Sequence, residues 1–327
     1  MRWIAVLLAL LVSSASLAFA QGVDPRRGPV TIGVFMAGSP ETYSIFYDAF
    51  RRGMVEAGWR EGENVRYEVR WGNGKLEGFG ALAQELVRIQ PALIFAGSSP
   101  GAVAVAKATR GTAIPVVTAS DDPVRLGLVQ SHARPGGNLT GASPRFEELG
   151  LKQLEVLMRI RPGAKRFGVL VNGGDAATLS RFTASEGQMR QRAQLVVADV
   201  RDAAGLPAAI ERMRREKVDG LLVPVTVMFN AQNALIARLA LEARIPAIFA
   251  ITEAADNGAL MSYGVDLRLT YMRAARFVDR ILRGASPADL PIEFIEEIEV
   301  AVNLGTARRL GITIPEDILL RAGKIVE

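Results

Sequence analysis

The sequence predicts an α/β protein made of two Rossmann-like lobes, each with a parallel sheet covered by helices. Short apolar runs typical of buried strands alternate with amphipathic runs typical of helices along the chain. An irregular segment rich in proline and glycine, residues 120–141, interrupts this alternation, and the same pattern then starts again. Residues 92–108 join an apolar run, a turn of small residues and a helix, which is typical of a parallel sheet at a ligand site.

The first lobe is predicted from a regular succession of strands and helices. The apolar run Val30–Met36 reads as a buried strand, and Ser39 and Pro40 suit the N-cap and the first position of the helix after it. Gly58 suits the end of that helix. Further strands are predicted at 64–71, at the start of 92–108 and at 114–119, and further helices at 76–89 and at the end of 92–108.

The second lobe repeats this succession after the break. A helix is predicted at 147–160, and the strand Arg166–Val171 leads through the turn 172–175 into another helix. The remaining strands are predicted at 194–200, 219–224, 246–250 and 293–302, and the remaining helices at 206–216, 230–243, Leu267–Leu282 and 306–310.

Three irregular segments, 120–141, 257–264 and 284–291, predict that the chain crosses between the lobes three times. A body joined in this way can hinge, and we expect the ligand in the cleft between the lobes, at the carboxyl ends of the strands. The predicted lobe 1 comprises 29–141 and 262–288, and the predicted lobe 2 comprises 142–261 and 289–327.

The first 20 residues predict a cleaved secretory signal peptide. Arg2 gives a positive start, residues 4–12 are apolar, and residues 18–20 form an A-x-A cleavage pattern. Residues 21–28 read as a linker. The chain has no cysteine, which leaves no thiol for a lipid and no disulfide framework. We therefore expect a periplasmic protein that is not a lipoprotein.

The composition argues against metal, cofactor and nucleic-acid chemistry. Zinc sites need three or four ligands such as cysteine and histidine, and the only histidine, His132, is expected to be a surface or turn residue. The net charge is +5, but the basic residues are scattered among acidic ones, so no nucleic-acid surface is predicted. The sequence contains no phosphate-binding loop and no G-x-G-x-x-G motif, and we expect no cofactor.

The turn Gly-Ser-Ser-Pro-Gly at residues 97–101 fits two different functions. It matches G-x-S-x-G, the nucleophile elbow of a hydrolase, with Ser99 as the nucleophile. That mechanism uses the N–H of the residue after the nucleophile, and Pro100 has none. Binding is the simpler interpretation, because Ser98, Ser99 and the helix N-terminus after them suit a ligand carboxylate. Helix capping alone is the structural alternative.

Other candidate ligand-binding residues follow the predicted strands. Their shared property is a polar or aromatic side chain at a strand end or at an irregular crossing. For each, the alternative is an ordinary turn, capping or packing role. They are Ser39 and Tyr43 after the first strand, Asp122 after the fourth, and Asn172, Thr226, Glu253 and Tyr263 in the second half of the chain.

Three segments resemble a known family. These are residues 36–71 (MAGSPETYSIFYDAFRRGMVEAGWREGENVRYEVRW), residues 97–141, and residues 258–267 (GALMSYGVDL). They are similar to ABC-transporter substrate-binding proteins of the tryptophan/tyrosine-binding type, which have the type I periplasmic-binding-protein fold. The most specific part is S-D-D-P-V…G-L-V…R-P-G-G-N-x-T-G, and the resemblance extends from residue 29 to the C-terminus. It implies a non-catalytic receptor that closes on a small ligand and docks on an inner-membrane permease.

We therefore expect the solute-binding component of an ABC importer, with no enzymatic activity. The expected ligand is amino-acid-like, because helix N-termini suit a carboxylate and Asp122 or Glu253 suits an ammonium group. An aromatic ligand side chain is one alternative. An exported serine hydrolase using Ser99 and a sensor partner with the same fold are alternatives for the whole protein. We expect a monomer.

Overall fold

The structure, a computed structural model, describes residues 28–146 and 148–327. The predicted signal peptide and all but the last residue of the predicted linker lie outside the described residues. The chain forms two compact units, and it passes between them three times. Among the described residues, the first unit contains 28–143 together with Arg268–Phe294, and the second contains Pro144–Leu267 and Ile295–Glu327.

The first unit is a six-stranded sheet with the strand order β11-β5-β4-β3-β1-β2. Its central parallel strands read as short, mostly apolar runs, because such strands are buried on both faces. The strands are β1 (Val30–Met36), β2 (Val65–Trp71), β3 (Leu93–Gly97), β4 (Val116–Ala119), β5 (Leu139–Pro144) and β11 (Glu293–Ile295). The helices are α1 (Pro40–Glu56), α2 (Phe79–Arg88), α3 (Ser99–Ala108) and α10 (Leu267–Leu282), with short 3₁₀ turns at Leu76–Gly78 and Pro287–Asp289.

In the first sheet, successive strands are added on one side of β1 first and then on its other side. Strand β1 pairs in parallel with β2 on one side and with β3 on the other, with Met36 opposite both Trp71 and Gly97. The order 2-1-3-4-5 therefore has its topological switch point between β1 and β3. In open parallel sheets, ligands bind at the carboxyl ends of the strands at such a point.

The second unit is a seven-stranded sheet with the order β13-β12-β10-β9-β8-β6-β7. Its first five strands in chain order repeat the topology of the first unit, with the switch point between β6 and β8. The strands are β6 (Arg166–Val171), β7 (Gln194–Asp199), β8 (Gly220–Val223), β9 (Ala247–Phe249), β10 (Met261–Val265), β12 (Ile298–Asn303) and β13 (Lys324–Val326). The helices are α4 (Leu149–Ile160), α5 (Ala176–Arg192), α6 (Leu206–Arg215), α7 (Val227–Ala231), α8 (Asn233–Glu242), α9 (Glu253–Asp256), α11 (Leu304–Leu310) and α12 (Glu316–Leu319), with a 3₁₀ turn at Ala203–Gly205.

The structure differs from the predicted strands near the crossings. The single strand predicted at 293–302 is wrong, because β11 joins the first sheet and β12 joins the second. The division of the chain is also shifted by a few residues. Strand β10 lies in the second sheet, parallel to β9 and antiparallel to β12, so residues 262–267 belong to the second unit. The segment predicted as wholly irregular before residue 141 already contains the start of β5.

None of the helices in residues 28–146 and 148–327 is long and apolar enough to cross a membrane.

Candidate functional site

The carboxyl edge of the first sheet presents two serine turns, one on each side of the switch point. After β1, Ser39 is the N-cap of α1, and its backbone N–H and hydroxyl both contact the Thr42 hydroxyl, at 3.3 and 3.2 Å. Its hydroxyl also lowers the pKa of the exposed Glu41 carboxyl through a hydrogen bond. After β3, Ser98 is the N-cap of α3. The two turns are neighbours in the sheet because their strands are neighbours.

The turn after β3 keeps only part of the donor capacity of a helix N-terminus. The Ser98 hydroxyl accepts from Gly101 N–H at 3.1 Å, and the Ser98 carbonyl accepts from Ala102 N–H at 2.8 Å. Pro100 has no N–H. The N–H of Ser99 is thus the first-turn backbone donor left for a ligand. The Ser99 hydroxyl accepts from Asp121 N–H at 3.0 Å and keeps its own proton to donate.

Tyr43 is a packing residue in this structure. Its side chain is 4% exposed, and its ring lies against Phe46 in an edge-to-face arrangement with centroids 5.2 Å apart. A Cβ atom at Gly38 would lie 2.1 Å from the Tyr43 ring, so the glycine lets the ring cover the turn. Tyr43 therefore supports the turn that carries Ser39.

Two adjacent carboxylates follow β4, and each has its own partner. Asp121 is buried and accepts two hydrogen bonds of 2.9 Å from Nη2 of Arg125. Asp122 is partly exposed, and its Oδ1 accepts from the N–H groups of Val124 and Arg125 and contacts Nε2 of His132 at 2.6 Å. Burial alone would raise the pKa of Asp122, but these hydrogen bonds outweigh it and lower the pKa.

The equivalent edge of the second sheet is built with carboxylate and amide caps. After β6, the Asn172 side chain is buried and accepts from Gly174 N–H at 2.9 Å. Asp175 is the N-cap of α5 and accepts from the N–H groups of Ala177 and Thr178 at 3.1 and 3.3 Å. The side chain of Asn172 is thus engaged in its own turn.

Thr226, after β8, is also engaged locally. It is 2% exposed, and its hydroxyl accepts from Phe229 N–H at 2.8 Å as the N-cap of α7. The preceding carbonyl, that of Val225, accepts from Nη2 of Arg181 at 3.0 Å. The turn after β8 is therefore tied to α5 through its backbone.

Glu253 and Tyr263 are half-buried and lie further along the same sheet. Glu253 begins α9, directly after Thr252, whose hydroxyl donates to Oε2 of Glu299 at 2.5 Å. Tyr263 lies in β10, and its carbonyl accepts from Nε2 of the buried Gln153 at 2.8 Å. Glu299 pairs with Gly264 across β10 and β12, and Tyr263 pairs with Val300, so the unpredicted Glu299 carboxylate projects from the opposite face of the sheet to the Tyr263 ring.

A small pocket of about 60 Å³ lies within the second unit between α4 and α5. Leu149, Phe182 and Met189 line it, and so do residues of the chain directly after β8 and β9. The guanidinium of Arg181 lies 4.8 Å from the centroid of the Phe146 ring, and both residues line the pocket. The volume is less than half of the roughly 150 Å³ that holds benzene in an engineered cavity, so it admits only small groups.

The structure thus places the candidate residues in two separate sets at the carboxyl edges of the two sheets. In the first unit it brings Ser98 and Ser99 next to Asp121, the residue before Asp122. Sequence reasoning missed several residues that hold these turns. They are Arg125, Gln153, Arg181, Tyr271 and Glu299. Arg125 is the one among them that a sequence signal could have indicated, because it follows the carboxylate Asp121 by four residues.

Comparison with known proteins agrees with this architecture. The family model for "ABC transporter substrate binding protein" matches residues 30–326. A tyrosine-binding protein of Clostridioides difficile (strain R20291) is 27% identical over 269 residues, which is 80% of this chain and 76% of that protein.

Solved structures show the same fold. A structure from Streptococcus pneumonia, described as an ABC domain in complex with L-Trp, has a TM-score of 0.84 and 23% identity, and covers 91% of this chain and 100% of its own. A conserved domain protein from Vibrio cholerae has a TM-score of 0.84, 26% identity and the same coverage. The predicted type I periplasmic-binding-protein fold is confirmed. Since the family model covers nearly all of the described chain, this chain belongs to the ABC transporter substrate binding proteins, the solute-binding class of ABC transport systems.

Proposed function

We propose that this protein binds a small amino-acid-like ligand, whose carboxylate is held by the polar turns at the carboxyl edge of the first sheet. The observation that carries the proposal is the pair of serine turns, Ser39 and Ser98–Ser99, on the two sides of the switch point in the first sheet. A carboxylate placed there meets hydroxyl groups, the Ser99 N–H and the positive end of the α3 dipole.

The ammonium group of the ligand is assigned to a carboxylate. Asp122 is the candidate in the first unit, since its Oδ1 is engaged and its Oδ2 stays available as an acceptor. Its lowered pKa keeps it ionised at neutral pH. Glu253 is the candidate in the second unit. Tyr263 is half-buried and offers a ring for an apolar ligand group.

An aromatic amino acid is the first ligand to test. The tyrosine-binding relative is similar over four-fifths of this chain, which supports an aromatic side chain. The buried state of Tyr43, Asn172 and Thr226 supports a turn-forming role for these three, with ligand contacts left to the more exposed candidates.

We propose that the protein is not an enzyme. In the described part of the chain, the Ser99 hydroxyl is bonded to Asp121 N–H, while His132 is bonded to Asp122. A serine nucleophile needs a base at hydrogen-bond distance and an N–H after it, and Pro100 supplies none. An esterase assay that showed activity lost in Ser99→Ala would contradict this.

We also propose export to the periplasm as a cleaved, monomeric protein without a lipid, which docks on an inner-membrane permease. N-terminal sequencing of the protein from the periplasmic fraction is expected to begin at Gln21. Co-purification with its permease in detergent tests the docking, and light scattering tests the monomeric state.

Ligand binding is tested by thermal shift with L-tyrosine, L-tryptophan and the other amino acids. A ligand at about a hundred times its Kd stabilises the folded protein by about 2.7 kcal/mol, which raises the Tm measurably. Ser99→Ala is expected to weaken binding about tenfold, since a hydrogen bond to a charged group is lost. Ser44→Ala, at an exposed position of α1, is the matched control. If no amino acid raises the Tm, the proposal is wrong.

A further inference from the structure

The aromatic side chain of Tyr271 lies directly beneath the turn after β3. Tyr271 is on α10, one turn after the chain enters the first unit at Arg268, and it is 4% exposed. Its hydroxyl donates to the carbonyl of Gly97 at 2.6 Å. This carbonyl belongs to the last residue of β3 and immediately precedes Ser98. A side chain from a distant part of the sequence therefore holds the start of the Ser98–Ser99 turn.

The packing around Tyr271 leaves little freedom. A Cβ atom at Gly97 would lie 2.5 Å from Cε1 of Tyr271, so only glycine lets the ring approach this closely. The ring also contacts Phe46 and Phe95, with centroids 5.4 and 5.6 Å away. Helix α10 packs on α1 so closely that a Cβ at Gly53 would lie 2.5 Å from the Met272 carbonyl. The Tyr271 ring is thus closely packed on several sides.

The hydroxyl of Tyr271 keeps its proton. Burial, with a smaller contribution from Tyr43, raises the pKa of Tyr271 well above its usual range. It therefore stays protonated at neutral pH and donates to the Gly97 carbonyl. Packing explains both glycines of the G-S-S-P-G motif. A Cβ at Gly97 would collide with Tyr271, and one at Gly101 would lie 2.9 Å from the Phe35 ring.

We infer that Tyr271 is a positioning residue for ligand binding: its hydroxyl fixes the Gly97 carbonyl and so sets the direction of the Ser99 N–H and hydroxyl at the start of α3. This inference rests on the proposed function, since it assigns the ligand carboxylate to that turn. Preorganised donors bind better because less ordering is required when the ligand arrives. Tyr271 itself has no contact with the ligand in this assignment.

The test compares Tyr271→Phe, which removes only the hydroxyl, with Tyr67→Phe, a half-buried tyrosine on β2 outside the candidate site. Without any ligand, amide hydrogen exchange at Gly101 and Ala102 is expected to accelerate about threefold to tenfold in Tyr271→Phe and to stay unchanged in Tyr67→Phe. Exchange elsewhere in the first sheet is expected to stay unchanged in both.

A second measurement separates positioning from general stability. The ratio of the affinities for an amino acid and for its carboxamide is expected to fall about threefold to tenfold in Tyr271→Phe, because only the carboxylate uses the oriented donors. Unchanged exchange with an unchanged ratio overturns the inference, as does faster exchange throughout the first unit with equal losses for both ligands. If the wild-type protein binds no amino acid, the proposed function fails, and unchanged exchange at Gly101 and Ala102 still overturns the assignment of Tyr271.

Discussion

The two units have the same strand order around their switch points but build the turns there in different ways. In the first unit, glycines bring the turns against aromatic rings: Gly38 lies under Tyr43 and Gly97 lies on Tyr271. In the second unit, side-chain carboxylates and hydroxyls hold the turns, as Asp175 does at α5. Shared topology therefore fixes where the turns lie, while local packing decides which substitutions each turn tolerates.

The two units are expected to differ most in how an alanine at the glycine before the N-cap changes the free energy of unfolding. A Cβ in Gly38→Ala would lie 2.1 Å from the Tyr43 ring, whereas in Gly174→Ala it would lie 3.2 Å from Oδ1 of Asn172. We expect Gly38→Ala to lower the free energy of unfolding by about 2–3 kcal/mol, because the ring must move. Gly174→Ala is expected to change it by less than about 1 kcal/mol.

Chemical denaturation of both variants measures this difference. The double variant Gly38→Ala/Tyr43→Leu is expected to regain part of the loss, since a smaller side chain relieves the contact. Equal losses in the two units, or no coupling with Tyr43, would show that the aromatic packing does not distinguish them.

The strand ends were predictable from sequence, and the residues that hold them were not. Val30–Met36 and Arg166–Val171 have the predicted bounds because strands buried on both faces form continuous apolar runs. The position of Ser39 and Ser99 directly after predicted strands also made them candidate ligand-binding residues, and that role stays a prediction. The hydrogen bond of Tyr271 could not be predicted in the same way, because helical periodicity does not show which carbonyl a hydroxyl reaches.

The crossings were the least predictable part of the fold. Alternation of apolar and polar residues continues through 293–302, so the pattern indicates one strand. The chain nevertheless changes sheets between β11 and β12. The pairing that decides this is with β5 on one side and β10 on the other, and both partners are distant in sequence. Local patterns carry no information on such partners.

The N-caps are expected to show the next largest difference. Asp175 accepts from two backbone N–H groups and from the Thr178 hydroxyl at 3.0 Å, so Asp175→Ala should lower the free energy of unfolding by about 1–2 kcal/mol. The Ser39 side chain has a 3.2 Å contact with Thr42, and Ser39→Ala should cost only about 0.5 kcal/mol.

Ligand affinity is expected to reverse that order. Ser39→Ala should weaken ligand binding in calorimetry. Asp175→Ala should leave the Kd unchanged, because the Asp175 carboxylate already caps its own helix. A larger effect of Asp175→Ala on the Kd would contradict the assignment of the first-unit turns to the ligand.

The pH dependence of the free energy of unfolding should differ less between the units, and the contribution from the first unit should be the larger one. Hydrogen bonds lower the pKa of Asp122 despite its burial, and in the second unit the Gly173 N–H lowers the pKa of Asp199. An aspartate with a lowered folded pKa stabilises the protein fully above its unfolded pKa near 3.9, and this stabilisation is lost as the pH falls through the folded pKa. The side chain of Asp122 is 17% exposed and that of Asp199 is 45% exposed, so solvent screens Asp199 more.

Denaturation at pH 7 and at pH 3 tests this order. The free energy of unfolding is expected to fall with pH in the wild type, to fall less in Asp122→Asn, and to fall nearly as in the wild type in Asp199→Asn. If the free energy of unfolding falls as much in Asp122→Asn as in the wild type, the contact between Asp122 and His132 does not persist in solution.

The smallest effect on the free energy of unfolding is expected at two glycines, one in each unit, that are each the second residue of a helix. Gly80 is the second residue of α2, and Gly150 is the second residue of α4, where it lines the small pocket. A Cβ at Gly80 has no neighbour within 4 Å, and one at Gly150 would lie 3.8 Å from the Met189 sulfur, an ordinary contact. Both substitutions to alanine should therefore raise the free energy of unfolding by about 0.5 kcal/mol, through helix propensity alone. If Gly150→Ala destabilises while Gly80→Ala stabilises, the α4–α5 pocket has no room for even one methyl group, and the second unit is packed as tightly at this edge as the aromatic first unit.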